Sequence, residues 1–258
     1  MQASAPVAHE LWIEPTDYIV APDASLQAYL VNGQGFGGLE IAYFPQRFVR
    51  FGLILGEQEV PVTARMGDNP ALAMAALGEG LHIAVYQSAG DIVTYDSYAA
   101  FARFVEHKDF AGWVHHQHHD RSLPEDTFKE YYTRYSKALI AVGDGAGADR
   151  RLGLETELVA LNNPYVDDLS GGFRVQAFYQ DAPRADAQIE LFDKAADGTV
   201  AITYWRTGDD GIAVVPVTPG HSYLVDAVVL RVPSDAVMAD TGAVWESLWA
   251  ALTFGVPE

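Results

Sequence analysis

The sequence of 258 residues predicts a mainly β protein made of two β-sandwich domains, with a short helical insertion at the end of the first domain. Short segments that alternate polar and apolar residues recur along most of the chain, as in 10–14 and 26–33. Turn signals such as Asn163-Pro164 and Asp197-Gly198 separate them. Short strands at this spacing are typical of β-sandwiches. Only the interval 97–135 changes to a helical period.

The glycine-rich segment 143–149 is the best candidate for a linker between domains, because its residues are small and flexible. It predicts an N-terminal sandwich over 1–143 and a C-terminal sandwich over 151–258. The loop 33–38 is also rich in glycine, but it lacks the lysine of a phosphate-binding loop and indicates a β-turn. The predicted strands are 10–14, 26–33, 47–55, 59–64, 81–87, 91–95, 154–161, 173–179, 187–192, 199–206, 211–217 and 223–232, and 245–254 forms a closing strand or short helix.

The helical insertion begins at Ser97, which is a plausible N-cap, and its first helix runs to about Lys108. Apolar side chains recur there at spacings of three and four residues, which predicts an amphipathic helix. We expect a second helix after Pro124, because acidic residues at its start are followed by inward aromatic residues. Those aromatic residues are Phe128, Tyr131, Tyr132 and Tyr135.

The charge of the chain excludes several classes of partner. Its 35 acidic and 16 basic residues give a formal net charge of −19. Such a surface repels phosphate backbones and anionic lipids, so we expect no nucleic-acid partner. No segment reaches the roughly 18 consecutive apolar residues that a membrane-spanning helix needs, so we expect no direct membrane insertion. The same negative field attracts divalent cations.

The residue types and motifs favour a protein that is not an enzyme. The sequence has no cysteine, which excludes disulfides, thiolate catalysis and cysteine-based zinc sites. It contains neither a Gly-x-Ser-x-Gly elbow nor a His-Glu-x-x-His motif. We therefore expect no serine hydrolase of that type and no metalloprotease.

A run of histidines between the two predicted helices is the main candidate for a metal site. His115, His116, His118 and His119 occupy four of five consecutive positions. Neutral imidazole is the commonest protein ligand for transition metals. If the segment is helical, His115 and His119 lie one turn apart with His118 beside them; if it is extended, His116 and His118 share a face. Both geometries stay open.

The alternative to a metal site is that the run is a solvated, flexible polar connector. Asp109 and Asp120 flank it and could fix imidazole tautomers, although the sequence favours surface solvation as the role of each. His107, on the first predicted helix, points either to solvent or towards the run. His82 lies inside an apolar strand and is expected to be a hydrogen-bonded core or face residue rather than a metal ligand.

The first residues predict export. Segment 1–8 has no cationic start and no apolar core, yet its small residues are typical of positions near a signal cleavage site. We expect a periplasmic protein whose leader has been removed; the alternative is an ordinary short disordered N-terminus. If cleavage follows Ala8, the amine and imidazole of His9 can chelate copper or nickel together. A histidine at a strand edge is the alternative.

Several motifs in chain order resemble one family. The opening Ala-His-Glu-Leu-Trp-Ile-Glu-Pro, at 8–15, is similar to the Ala-His-aromatic-Trp-Leu-Glu-Pro start of the NikM-like family. Those proteins are periplasmic components associated with nickel and cobalt uptake, long catalogued as a domain of unknown function. Further matches lie at 130–139, 161–165 and 245–254.

The resemblance implies a secreted protein in two β parts, the second similar to immunoglobulin-like or carboxypeptidase regulatory-like modules. It also implies binding of a transition metal outside the inner membrane. His9 matches the opening histidine of the family, whereas the role of 115–119 rests on chemistry alone. Nickel or cobalt comes from the resemblance, and copper and zinc suit the same imidazole ligands.

The leading hypothesis is a periplasmic accessory protein that captures nickel or cobalt and passes it to a membrane metal transporter. One alternative is a non-catalytic adhesion or interaction module that binds a protein or a glycan. A weaker one is a copper-dependent enzyme that uses an N-terminal chelate. The predicted metal ligands are His9, His107, His115, His116, His118 and His119.

Overall fold

A computed structural model describes residues 9–258 and confirms the mainly β class. Strands account for 49% of the described residues and helices for 12%, so sheets form the framework and the helices are additions. Within the described residues, none of the helices combines the length and apolar character that crossing a membrane requires.

Most of the long strands lie where the sequence predicts them. The strands are β1 (Glu10–Pro15), β2 (Ile19–Val20), β3 (Ser25–Gln34), β4 (Gly37–Ile41), β5 (Phe48–Leu55), β6 (Gln58–Pro61), β7 (Leu72–Ala75), β8 (Gly80–Ser88), β9 (Asp91–Tyr95), β10 (Phe128–Val142), β11 (Thr156–Ala160), β12 (Phe173–Tyr179), β13 (Ala182–Pro183), β14 (Gln188–Lys194), β15 (Val200–Arg206), β16 (Ile212–Val215), β17 (Ser222–Arg231) and β18 (Ala243–Gly255). The α-helices are α1 (Tyr98–His107), α2 (Ala111–Asp120) and α3 (Asp235–Thr241), and Pro45–Arg47 forms one short 3₁₀ helix.

These strands form three sheets. The first has the order β1-β3-β4, with β7 also beside β3. The largest has the order β15-β14-β17-β18-β10-β8-β5-β6, and both β2 and β9 also pair with β10. The third has the order β11-β12-β13, with β16 also beside β12.

The described chain divides into two compact units, each made of separate stretches of sequence. The smaller unit contains His9, Gly90–Thr133 and Val228–Leu248. The larger contains Glu10–Ala89, Arg134–Ala227 and Trp249–Glu258. The domain boundary predicted between 143 and 151 stays a prediction.

In the larger unit, the first sheet is covered on both faces. Leu11 and Ile13 of β1 pack in one apolar cluster with Leu53 of β5. Trp12, which points the other way, packs with Phe192 of β14 and Leu224 of β17. Successive side chains of a strand point to opposite faces, so one strand can serve two layers. This double burial anchors the start of the chain in the β framework.

The third sheet of the larger unit packs against β18. The rings of Phe173 and Phe254 are stacked with their centroids 4.1 Å apart. The ring of Tyr223 also stacks on Phe254, with the centroids 5.2 Å apart. Aromatic pairs at this spacing add to the apolar area that each ring buries. Phe254, near the end of the chain, therefore stacks on rings from both β12 and β17.

A buried ion cluster ties the glycine-rich region of the larger unit to β10. Lys137 Nζ lies 2.7 Å from Asp149 Oδ1 and 3.2 Å from Glu157 Oε1. All three side chains are almost completely buried, and buried charges are tolerated when they are paired and hydrogen-bonded. Asn163 also donates hydrogen bonds to the carbonyls of Gly145 and Gly147. The segment predicted as a linker is thus held by hydrogen bonds.

The smaller unit contains the three helices. The predicted N-cap of α1 is confirmed, because the Ser97 side chain accepts a hydrogen bond from Ala100 N. Phe101, Phe104 and Val105 are buried on one side of α1, as the helical spacing predicts.

The helix predicted after Pro124 is wrong. Phe128 to Tyr135 instead begins the 15-residue strand β10, and Phe128 pairs with Tyr95 of β9. Most of β10 is buried on both faces, which removes the alternation that normally identifies a strand. The insertion predicted over 97–135 is therefore helical only as far as Asp120. The short elements β2, β4, β7, β13 and α3 were not predicted.

Candidate metal-binding site

The histidine run lies on α2 of the smaller unit, so the extended alternative is wrong. The chain turns sharply before the helix at Asp109, which has a positive φ of 62°, and again after it at Ser122, with a φ of 52°. Val114 and His118, one turn apart, form the buried side of α2. The other histidines of the run are exposed, and the helix therefore separates four adjacent imidazoles into two environments.

His118 is a buried structural residue, 2% exposed. Its Nδ1 accepts a hydrogen bond from Trp245 Nε1 at 3.1 Å, and its Nε2 lies 2.9 Å from Pro124 O. Since the indole is only a donor and the carbonyl only an acceptor, the neutral Nε2–H tautomer satisfies both contacts. A metal ion could bind His118 only after one of these hydrogen bonds breaks, so we leave it out of the candidate site.

Aromatic rings surround His118 and hold α2 in place. Its centroid lies 4.4 Å from that of Tyr98 and 5.2 Å from that of Phe128. The guanidinium of Arg121 lies over the Trp245 ring at 5.1 Å. These contacts pack the inner side of α2 against its neighbours, and they set the direction in which its outer side points.

The outer side of α2 brings two imidazoles to one carboxylate. His116 Nε2 lies 3.2 Å from Asp120 Oδ2, and His119 Nδ1 lies 3.7 Å from Asp120 Oδ1. The spacings are four residues and one residue, and the first places its pair on one helical face. His116 is 76% exposed and His119 is 92% exposed at the side chain. An ion can therefore reach all three residues from solvent.

The three ligand groups are close without being fully preformed. Among residues 9–258, the run does not bring three ligand atoms within 4.8 Å of one another. One ion can bind both imidazoles only after a side chain rotates, and exposed rotamers interconvert rapidly. Such rotation costs side-chain entropy, which predicts moderate affinity.

The remaining predicted ligands lie in different settings. His115 is exposed, and its Nδ1 lies 2.6 Å from the hydroxyl oxygen of Tyr98, which fixes the ring. His107 is exposed at the last position of α1, and His9 is half-buried just before β1. The cleavage predicted after Ala8 falls outside the described residues.

An aromatic pocket adjoins the first turn of α2. It has a volume of about 440 Å³ and is lined by Asp109, Phe110, Gly112, Trp113 and Leu230. Its walls are mostly apolar, unlike the imidazoles and carboxylate of the last turn. The two ends of α2 therefore offer different chemistry.

The larger unit holds a second group of oxygen ligands. Glu190 and Asp226 are directly opposite each other on β14 and β17, and a carboxylate oxygen of Glu10 lies within 4.8 Å of one from Glu190. All three are buried. Each lies two residues from a member of the apolar cluster of Trp12, Phe192 and Leu224. Carboxylates alone suit calcium, magnesium or manganese better than nickel or copper.

A match to a family model across most of the chain shows the family of this protein. Residues 7–231 match the model of the family described as "Domain of unknown function (DUF4198)". The chain belongs to this family. No curated protein sequence matches this DUF4198 chain at a significant level.

Two solved structures show weak similarity to the DUF4198 protein. The D0-D1 domain of intimin is 11% identical, with coverage of 95% of this chain and 97% of that chain and a TM-score of 0.22. A tetra-tandem repeat from the extending region of a large adhesion protein is 12% identical, with coverage of 96% and 49% and a TM-score of 0.23. Scores this low carry no argument about fold or function.

Two residues that contact histidines of the run could not be identified from the sequence. Trp245 is 127 residues from His118, and the sequence gives no reason to pair them. Tyr98 lies in the first turn of the helix predicted to start at Ser97, and nothing in the sequence indicates that its hydroxyl contacts His115. Asp120 did have a signal, since it follows the run directly, but helix formation was needed to show which histidines it approaches.

Proposed function

We propose that this protein binds a transition-metal ion through His116, His119 and Asp120 on the outer side of α2. In this proposal the protein acts outside the inner membrane, where it performs no covalent chemistry and delivers the ion to a membrane metal transporter. The observation that carries the proposal is the approach of two imidazole nitrogens to opposite oxygens of one exposed carboxylate.

The ligand chemistry supports a borderline transition metal over calcium or magnesium. Imidazole nitrogen suits nickel, cobalt, copper and zinc, whereas the hard alkaline-earth ions take oxygen ligands. The acidic chain, with a formal net charge of −19, adds a long-range attraction for any cation. Ligands on the surface also permit rapid release, which a carrier needs.

Nickel or cobalt as the cargo rests on the resemblance of the sequence motifs to the NikM-like family. Affinity alone favours copper, which binds most nitrogen and oxygen sites more tightly than nickel or cobalt. The periplasmic location and the transporter partner rest on the same resemblance. We propose them together as one coherent role.

Calorimetric titration of the tag-free protein with nickel, cobalt, copper and zinc tests the site. We expect one ion per chain with a Kd of about 100 μM or tighter, equivalent to roughly −5.5 kcal/mol or stronger. The double variant H116A/H119A should weaken binding by at least tenfold, because it removes both imidazoles.

The matched control is H115A, which removes an exposed histidine of the same helix that does not face Asp120. It should leave the Kd within about twofold of the wild type. Equal losses in H115A and H116A/H119A would show diffuse binding by the run and contradict the specific site. A wild-type Kd weaker than about 100 μM would end the carrier proposal.

His9 and His107 stay predicted ligands, and the same titration separates them from α2. If H9A or H107A weakens binding while H116A/H119A does not, the metal site lies elsewhere than α2. A calcium titration adds a further distinction, since strong calcium binding that E190Q abolishes would assign the ion to the buried carboxylates of the larger unit.

A further inference from the structure

The strand β15 leaves one edge of the largest sheet open. It pairs with β14 on one side from Val200 to Arg206. Within residues 9–258 no strand pairs with its other side, where the strand order of the sheet ends. An edge strand presents backbone donors and acceptors that another chain can bind.

The side chains of β15 are exposed on both faces and are largely apolar. Tyr204 is 53% exposed, Ile202 is 42% exposed, and Trp205 is also exposed. β-branched and aromatic side chains of this kind favour strand pairing. A long, exposed, apolar edge strand is the kind of edge that associates with another chain.

The opposite edge of the same sheet is protected against such association. There β6 has four residues, and it includes Glu59 and Pro61. A charge and a proline are two of the devices by which proteins block pairing at a sheet edge. The seven residues of β15 include no proline, no lysine and no carboxylate. The sheet is therefore blocked at one end and open at the other.

The charge of the chain makes this edge the place where two copies can meet. With 35 acidic residues and 16 basic ones, most surfaces of two copies repel each other. The only charge on β15 is that of Arg206, at its last position. Two copies that approach through β15 therefore bring no carboxylates of this strand together.

We propose that a second copy of this chain pairs with β15 in antiparallel register about Thr203, which makes the protein a symmetric homodimer. In this register Tyr204 of one copy lies opposite Ile202 of the other, an aromatic and β-branched pair. Trp205 lies opposite Ala201, so that a large ring meets a small side chain. Arg206 lies opposite Val200, so no like charges within β15 face each other. The sequence of β15 is thus complementary to itself, as a two-fold interface requires.

Oxidative cross-linking tests this register directly, since the chain has no native cysteine. In T203C the two new thiols lie opposite each other across the two-fold axis, with Cβ atoms about 5 Å apart. That spacing is near the range of disulfides. Mild oxidation should therefore convert most of the protein to a covalent dimer.

The control is A201C, on the same face of the same strand. The proposed register separates its two thiols by four residues along the strands, about 13 Å, and it should stay monomeric on a denaturing gel. Equal cross-linking of T203C and A201C, or none in either, overturns the register.

Sedimentation equilibrium without metal, in the presence of a chelator, tests the association itself. We expect the wild type to dimerise with a Kd of roughly 100 μM or tighter, as befits a small interface. I202K should weaken dimerisation at least tenfold, whereas V49K, on an exposed position of β5, should leave it unchanged. A wild type that stays monomeric at 1 mM overturns the proposal, whatever the outcome for metal binding.

Discussion

The inner and outer sides of α2 put identical side chains to different uses. His118 on the inner side donates to Pro124 O and accepts from Trp245, so both of its nitrogens serve the fold. His116 and His119 on the outer side face only Asp120 and solvent. The difference shows that helical phase, more than local density, decides which histidines of a cluster are available to an ion.

A buried histidine of the larger unit extends the comparison. His82 on β8 accepts a hydrogen bond from Leu77 N at 3.0 Å, and its other ring nitrogen lies 3.2 Å from Gly80 O. The prediction that it is a hydrogen-bonded core residue is confirmed. His82 and His118 thus share a structural role, although one was recognisable in the sequence and the other was hidden in the run.

The largest expected effect is that of replacing the inner histidine of α2, and it is an effect on stability. H118A removes two buried hydrogen bonds and leaves a cavity beside Trp245, so the free energy of unfolding should fall by about 2–4 kcal/mol. Urea denaturation followed by tryptophan fluorescence measures it. H119A, on the outer side, is the control and should change the stability by less than about 0.5 kcal/mol. Equal effects of the two variants would contradict the division of α2 into two sides.

A smaller effect is expected from the carboxylate on the outer side. D120N keeps the shape of the side chain but removes the charge that both imidazoles face, so nickel affinity should fall roughly tenfold. Calorimetry at fixed pH and salt measures it. D109N, at the other end of the run, is the matched control, and asparagine tolerates the positive φ at that position. If D109N weakens binding as much as D120N, general electrostatic attraction explains the result better than a site.

Most of the framework could be predicted because strands covered on one face retain their alternation. The predicted strand 173–179 coincides with β12, and 91–95 coincides with β9. The prediction failed at β10, where apolar residues occur on both faces and mimic a helical spacing at its start. Period alone cannot separate a doubly buried strand from a helix.

The candidate site could be predicted only in part. The histidine run could be identified from residue type alone, because the ability of an imidazole to bind a metal ion is a property of the side chain itself. The sequence did not reveal that His118 is withdrawn from it, because this depends on Trp245, 127 residues away. Tertiary hydrogen bonds of this kind leave no pattern in the neighbouring residues. The sequence therefore predicted which ligands are present, and the fold was needed to show which of them are free to act.

The smallest expected effect concerns pH. Burial lowers the pKa of His82 below the ordinary histidine value, and the hydrogen bond to Gly80 opposes this only in part. As the pH falls through about 6.5, the unfolded chain takes up a proton at this position before the native chain does. The unfolded state then binds more protons, so stability is lost as the pH falls towards the lowered native pKa.

H82Q removes this titration and should flatten the dependence of unfolding free energy on pH below about 6.5. The change in slope cannot exceed one proton, or about 1.4 kcal/mol per pH unit. Urea denaturation at half-unit intervals, run in parallel on the wild type, measures it. An unchanged slope would mean that His82 takes up its proton equally in both states, and its burial would then have no energetic consequence in acid. A flatter slope would show that the neutral form of His82 is part of the fold.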